Sequence, residues 1–233
     1  MKTLLQATVL FAKKNGIEYG VPVVATAPTS QSKSTNKDFE SKQTEYYTQY
    51  YALLKMSMDY ADIVEINKVN FVSTPGFAEN IVVPFNELFH KVESGGSITK
   101  VDFTIDIDVI FKEDKQTSTQ RNLAKSIKDN LISNNFQKVV DDCATLKPSV
   151  PENFKLVIDT ISVLASVAEF IKTHPIDQKL LSKAKKTYSQ PIGNSAGNAT
   201  DITKQIDNLN KLYAELTTLG KEVNVLKLSL IHI

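Results

Sequence analysis

Few side chains in this chain have the types and spacing that chemistry needs. Gly193-Asn194-Ser195-Ala196-Gly197 has the letters of G-x-S-x-G, the turn that presents a hydrolase serine. That turn requires a hydrophobic strand before it, a helix directly after it, and an acid and then a histidine downstream. Ser189 to Ile192 is no such strand, and the only later histidine is His232. Ser195 is therefore read as part of a linker. Glu87, His90 and Glu93 stand three apart, which places two carboxylates and an imidazole near one helix face, but the second such half-site of a di-iron bundle is missing. Asp102, Asp106 and Asp108 alternate along a β-like segment, where they offer oxygens to a hard cation or blunt the edge of a sheet. No phosphate-cradling glycine loop, dinucleotide fingerprint or zinc spacing occurs, so no catalytic residue, metal or cofactor is expected. An enzyme remains the third reading, a hydrolase with an unlocated carboxylate site.

Two sets of residues are better suited to contact than to catalysis. Tyr46, Tyr47, Tyr50 and Tyr51 crowd one short stretch, each with an apolar ring and a hydroxyl tip. Ile202, Leu209, Leu216 and Val223 recur every seven residues, with Ile206, Leu212, Leu219 and Leu226 between them, a near coiled-coil seam over four heptads. Either set is a candidate interaction surface.

The elements that position these residues centre on Asn153 to Lys172. Phe154, Val157, Ile158, Ile161, Leu164, Ala165 and Ala168 make one helical stripe, and Leu156, Val163, Val167 and Phe170 widen it to nearly the whole circumference. Such a helix needs partners on several sides. Ser149 and Glu152 predict a capping box at its start. Thr117 with Gln120 predicts another, opening a helical region that runs to Pro148 with a break at Asn134-Asn135.

The heptad helix, Thr200 to Lys227, follows a linker at 189–199. A second long helix begins near Asp38, after a polar connection at 29–37 read as a mobile loop. Beyond Asp62 it turns ambiguous, with a slight preference for strand over 62–72. In Val101 to Phe111 apolar and polar residues alternate, the strongest strand signal in the chain. The predicted fold is α+β and predominantly helical: an elongated bundle packed around helix 153–172, with a small antiparallel β element that includes strand 101–111. Residues 1–227 are read as one domain. The last six residues, LSLIHI from Leu228 to Ile233, resemble the translation of a transposon end used in sequencing libraries and are read as a non-native tail.

A net charge of +1 gives no pull toward nucleic acid, and one cysteine, Cys143, fixes no redox compartment. The apolar N-terminal run is broken by Gln6 and Thr8, and it reads as a helix with Gly16 as its cap rather than as a signal peptide. No stretch is read as a transmembrane segment, and localisation is left open. The leading expectation is a non-enzymatic interaction or assembly protein whose long amphipathic helices are its contact surfaces, binding a protein partner or itself. The alternative is a membrane-active helical protein with the layout of a pore-forming toxin, in which the apolar helix hides until it inserts.

Overall fold

The computed structural model describes residues 30–66, 76–96, 100–103, 117–188 and 199–231. Seven α-helices occupy most of them: α1 (Ser30–Ile66), α2 (Val83–Glu93), α3 (Ser118–Ile132), α4 (Phe136–Leu146), α5 (Glu152–Thr173), α6 (Gln178–Thr187) and α7 (Ala199–Ile231). A π-turn, Ala78–Val82, leads into α2, and a 3-10 turn, Lys147–Ser149, joins α4 to α5. Among the described residues there is no strand, so the predicted α+β class is corrected to an all-helical bundle.

α5 is the expected centre. Phe154, Val157, Ile158, Thr160, Ile161, Val163, Leu164, Ala165, Val167, Ala168, Phe170 and Ile171 are all buried along its 22 residues. α1, α2, α4 and α7 surround it. One polar contact crosses this core: the hydroxyls of Tyr60 and Thr160 lie 2.7 Å apart, and Thr160 also donates to the Leu156 carbonyl at 2.8 Å. Both residues are fully buried, so the Tyr60 hydroxyl would be left without its partner in a dry site if Thr160 were removed, whereas Thr160 would keep its bond to Leu156.

The strand assigned to 101–111 is where sequence pattern and structure part. Val101 and Phe103 are buried and Asp102 is exposed, so the in-and-out alternation is real over these residues. Among the described residues they pair with no strand. The amide side chain of Asn134 takes that place: its Oδ1 accepts from the Val101 N–H at 2.7 Å and its Nδ2 donates to the Val101 carbonyl at 2.8 Å. The same Asn134 ends α3 with φ 58. Its N–H bonds to the Leu131 carbonyl at 3.0 Å, and the Asn135 N–H to that of Asn130 at 2.8 Å, the two bonds of a Schellman cap. Glycine would serve the backbone there, but only asparagine tolerates the left-handed turn and also holds the neighbouring segment. Phe103 then closes an aromatic cluster with Phe85 and Phe136, with centroids 5.0 and 6.3 Å away. Residues 104–111 lie outside the described residues.

Other boundaries move for identifiable reasons. α1 begins at Ser30, so the stretch read as a loop at 29–37 supplies its first turns; it holds no glycine or proline to interrupt a helix. The helix also carries through Asp62 to Ile66, where strand was preferred. The capping box at Thr117 and Gln120 forms in full. The one predicted at Ser149 and Glu152 does not: α5 is capped by Pro151 with no side-chain bond. Ser149 instead donates to the Leu146 carbonyl at 2.8 Å. Asp177 caps α6 by accepting from the N–H groups of Lys179 and Leu180. The predicted N-terminal helix and the linker residues 189–198 lie outside the described residues.

Because Ile161 is fully buried on α5, with neighbouring helices packed around it, Ile161→Ala should cost about 2–5 kcal/mol through lost transfer energy and an unfilled cavity. A urea midpoint that falls with an unchanged slope would report this loss.

Candidate functional site

The four tyrosines on α1 occupy different roles within one packed face. Tyr50 is fully buried, donates to the His174 carbonyl at 3.4 Å, and packs its ring 5.3 Å from Phe170. Tyr51 donates to Glu93 Oε1 at 3.3 Å and meets Tyr188 edge-on at 5.2 Å. Tyr47 accepts from the Asp177 N–H at 3.2 Å, tying α1 to the cap of α6. Tyr46 is half-buried, edge-on to Tyr47, and lies over α7 at Gly220. A Cβ at Gly220 would sit 3.1 Å from Tyr46 Cε2, so this glycine, a helix weakener by propensity, lets the ring approach the α7 backbone. Burial pushes the Tyr46 phenol up to about 12, with the adjacent Tyr47 adding to it, and pushes Tyr50 well above its ordinary value. These rings are committed to the chain's own interior.

The heptad seam is committed in the same way. Ile202, Ile206, Leu209, Leu216 and Leu219 are buried, chiefly against α1, and Val223 is half-buried. Of the eight residues proposed as an interaction surface, then, Tyr50, Tyr51, Ile202, Leu209 and Leu216 are buried and Tyr46, Tyr47 and Val223 half-buried. Tyr46, Tyr47 and Val223 keep part of their area open to solvent.

The candidate metal set is drawn apart by its partners. Glu87 and His90 are exposed on α2, while Glu93 receives both the Lys185 ammonium and the Tyr51 hydroxyl on Oε1. Lys185, first, holds the Glu93 carboxyl below its ordinary range against the opposing effect of partial burial. Asp102 pairs with Lys100 at 3.4 Å beside a cleft of about 190 Å³ that Glu87 and Lys91 also line. Among the described residues no three His, Cys, Asp or Glu side chains gather to hold a metal. Asp106, Asp108 and Ser195 lie outside them. His174 ends α5 with its ring stacked on Phe170, centroids 4.1 Å apart, a structural cap. Cys143 is buried on α4, and burial, followed by Asp142 and Asp159, pushes its thiol far up.

The feature that sequence reading missed is a groove of about 480 Å³ on the outer side of the α1–α7 pair. Lys42, Glu45 and Gln49 line it from α1, and Ala214, Glu215, Thr218, Leu219 and Glu222 from α7. On each helix these residues recur at three- and four-residue steps, so each set is one face. Ala214 and Thr218 keep the floor low. Lys42 reaches both Glu45 at 3.4 Å and Glu222 at 3.2 Å across the groove. Lys211 pairs with Glu215 at 3.9 Å, so three carboxylates share two ammoniums. Among the described residues Gln49 Oε1 is buried without a hydrogen-bond partner, an arrangement that costs about 1–3 kcal/mol in a folded chain. Its polar residues carry no apolar period, which is why pattern alone did not single them out.

No family model, curated protein or solved structure matches this chain. Among the described residues no helix is long and apolar enough to cross a membrane.

Two measurements check these environments. Cys143 should resist thiol alkylation in the folded chain and react fully once urea unfolds it; ready labelling of the native protein would contradict its burial. Because the folded-state phenol values of Tyr46 and Tyr50 are raised, the stability linked to their neutral forms is complete below pH 10 and declines as pH rises through about 12. Urea midpoints should fall across that window, together with the appearance of phenolate absorbance, and Tyr46→Phe should flatten part of the decline.

Proposed function

We propose that this chain is a non-enzymatic interaction protein whose contact surface is the outer groove of the α1–α7 pair. One observation carries the reading: the groove is built from two long helices, has small residues on its floor and carboxylates on its rim, and contains a buried acceptor with no donor among the described residues. A helix or extended segment laid between two antiparallel helices touches side chains of both and covers the floor at the same time. Donors on that segment can reach Gln49 after a small rotation of its amide, and cations on it can meet Glu45, Glu215 and Glu222. The apolar inner faces of the two helices pack into the bundle, which holds this face rigid. A rigid face loses little conformational freedom on binding.

The test is site-specific photo-crosslinking from an unnatural amino acid placed at Thr218, in the groove, or at Lys128 on α3 as the reference. Discrete adducts from Thr218 that are absent from Lys128 are expected when the full chain is expressed in its natural setting. Crosslinking equally from both sites, or from neither, would overturn the reading.

A further inference from the structure

The reading of the groove as a contact surface leaves its occupant open, and α6 supplies one. Gln178–Thr187 carries Lys179, Lys183, Lys185 and Lys186 and no acid, in a chain of net charge +1. Lys185 is paired with Glu93. Lys179, Lys183 and Lys186 are exposed and make no ion pair among the described residues. Their steps of four and three put them on one face of the helix, a row about 10 Å long.

The groove matches that row in sign and in length. Glu215 and Glu222 are seven residues apart on α7, as Lys179 and Lys186 are on α6, and Glu45 faces them from α1. The three carboxylate side chains are half exposed, at 48%, 52% and 50% for Glu45, Glu215 and Glu222, so an incoming cation can reach them by exchanging with the surface ammoniums of Lys42 and Lys211, without unfolding anything. Within one molecule the two surfaces cannot meet. Tyr47 and Tyr51 face α6, whereas Glu45 and Gln49 face the groove, and two residues of α-helix turn the side chain by about 200°. The basic row and the acidic groove therefore look out from opposite sides of α1.

We propose that the occupant is a second copy of this chain: the α6 lysine row of one molecule lies in the α1–α7 groove of the next. The contact is heterologous, so each added copy presents a fresh row and a fresh groove, and assembly proceeds head to tail in open series. Lys183, between its neighbours, meets Glu45 while Lys179 and Lys186 meet the two α7 carboxylates. Once its amide rotates outward, Gln49 Oε1, which has no donor among the described residues, can accept from an ammonium entering between them. The patch is short and exposed, so the association is weak, rises with protein concentration and is suppressed by salt.

Sedimentation velocity on the full chain tests this, with circular dichroism to confirm folding of each variant. The average mass of the wild type should rise with concentration at low ionic strength and return to that of the monomer at high salt. Reversing the row (Lys179→Glu, Lys183→Glu, Lys186→Glu) should weaken association by on the order of ten-fold or more. Reversing the groove (Glu45→Lys, Glu215→Lys, Glu222→Lys) should do the same, with glutamine in place of lysine if that chain fails to fold. Mixing the two reversed proteins should restore mixed assemblies, because each then offers the complement of the other. A wild type that stays monomeric at every concentration overturns the proposal, as does association that survives both reversals or a mixture that fails to recover. If the wild type is monomeric while Thr218 still crosslinks a different protein, the groove remains a contact surface and only the second copy is excluded as its occupant.

Discussion

A helix that is apolar on nearly every side must be enclosed, and the rest of this molecule is arranged to enclose α5. Its buried residues point in all directions around the axis. One flanking helix would leave most of that surface in water at roughly 25 cal/mol for each Å². α1, α2, α4 and α7 each take a sector. The enclosure in turn dictates where the long helices run, because α7 can reach α5 only by lying along α1. The groove is thus a by-product of the core: two long helices pressed together on their inner faces leave a furrow between their outer ones.

Inside that apolar setting the Tyr60–Thr160 contact does a different job from its neighbours. Dispersion and hydrophobic burial tolerate a helix that slides or rotates slightly, since one apolar partner substitutes for another. A pair of buried hydroxyls 2.7 Å apart does not. Sliding α1 along α5 by one residue, about 1.5 Å, would leave the Tyr60 hydroxyl unpaired in a dry site, while Thr160 keeps its bond to Leu156. The contact therefore sets register between the two helices, and through α1 it also sets the level at which Gly220 of α7 meets Tyr46.

How much of this was legible in the chain depends on whether the signal was periodic. The α5 helix was placed within a residue at each end, because its apolar residues repeat over five turns. The heptad seam of α7 was legible for the same reason, and the Thr117 capping box because its two residues are local partners. Val101 to Phe103 shows the limit. Alternation reports that successive side chains face in and out of a core, which any extended segment does, but it does not report what the backbone bonds to. Here the partner is one asparagine more than thirty residues away. Asn134 read as a break between helices, and nothing in its neighbours announced a second role. Gly220 is a similar case: propensity counts its cost to the helix, whereas the benefit appears only once Tyr46 is set against it.

The candidate site was harder to read for a deeper reason. Core residues declare themselves because water excludes them in a regular pattern, while a polar surface obeys no such period until a partner is present. Lys42, Glu45, Glu215 and Glu222 would satisfy any solvated helix face, and their significance lies in being brought to one furrow by two segments far apart in sequence. The tyrosines and heptad leucines were sought as a surface because they are conspicuous. Their conspicuousness is what commits them to the interior: apolar area of that extent on a single chain is covered first by the chain itself. What the two helices present to solvent beside the furrow is their reverse side, where charged and polar residues predominate. A furrow with three carboxylates around the Lys42 and Lys211 ammoniums exists only once two helices far apart in sequence are packed together, and no pattern within either helix reports it.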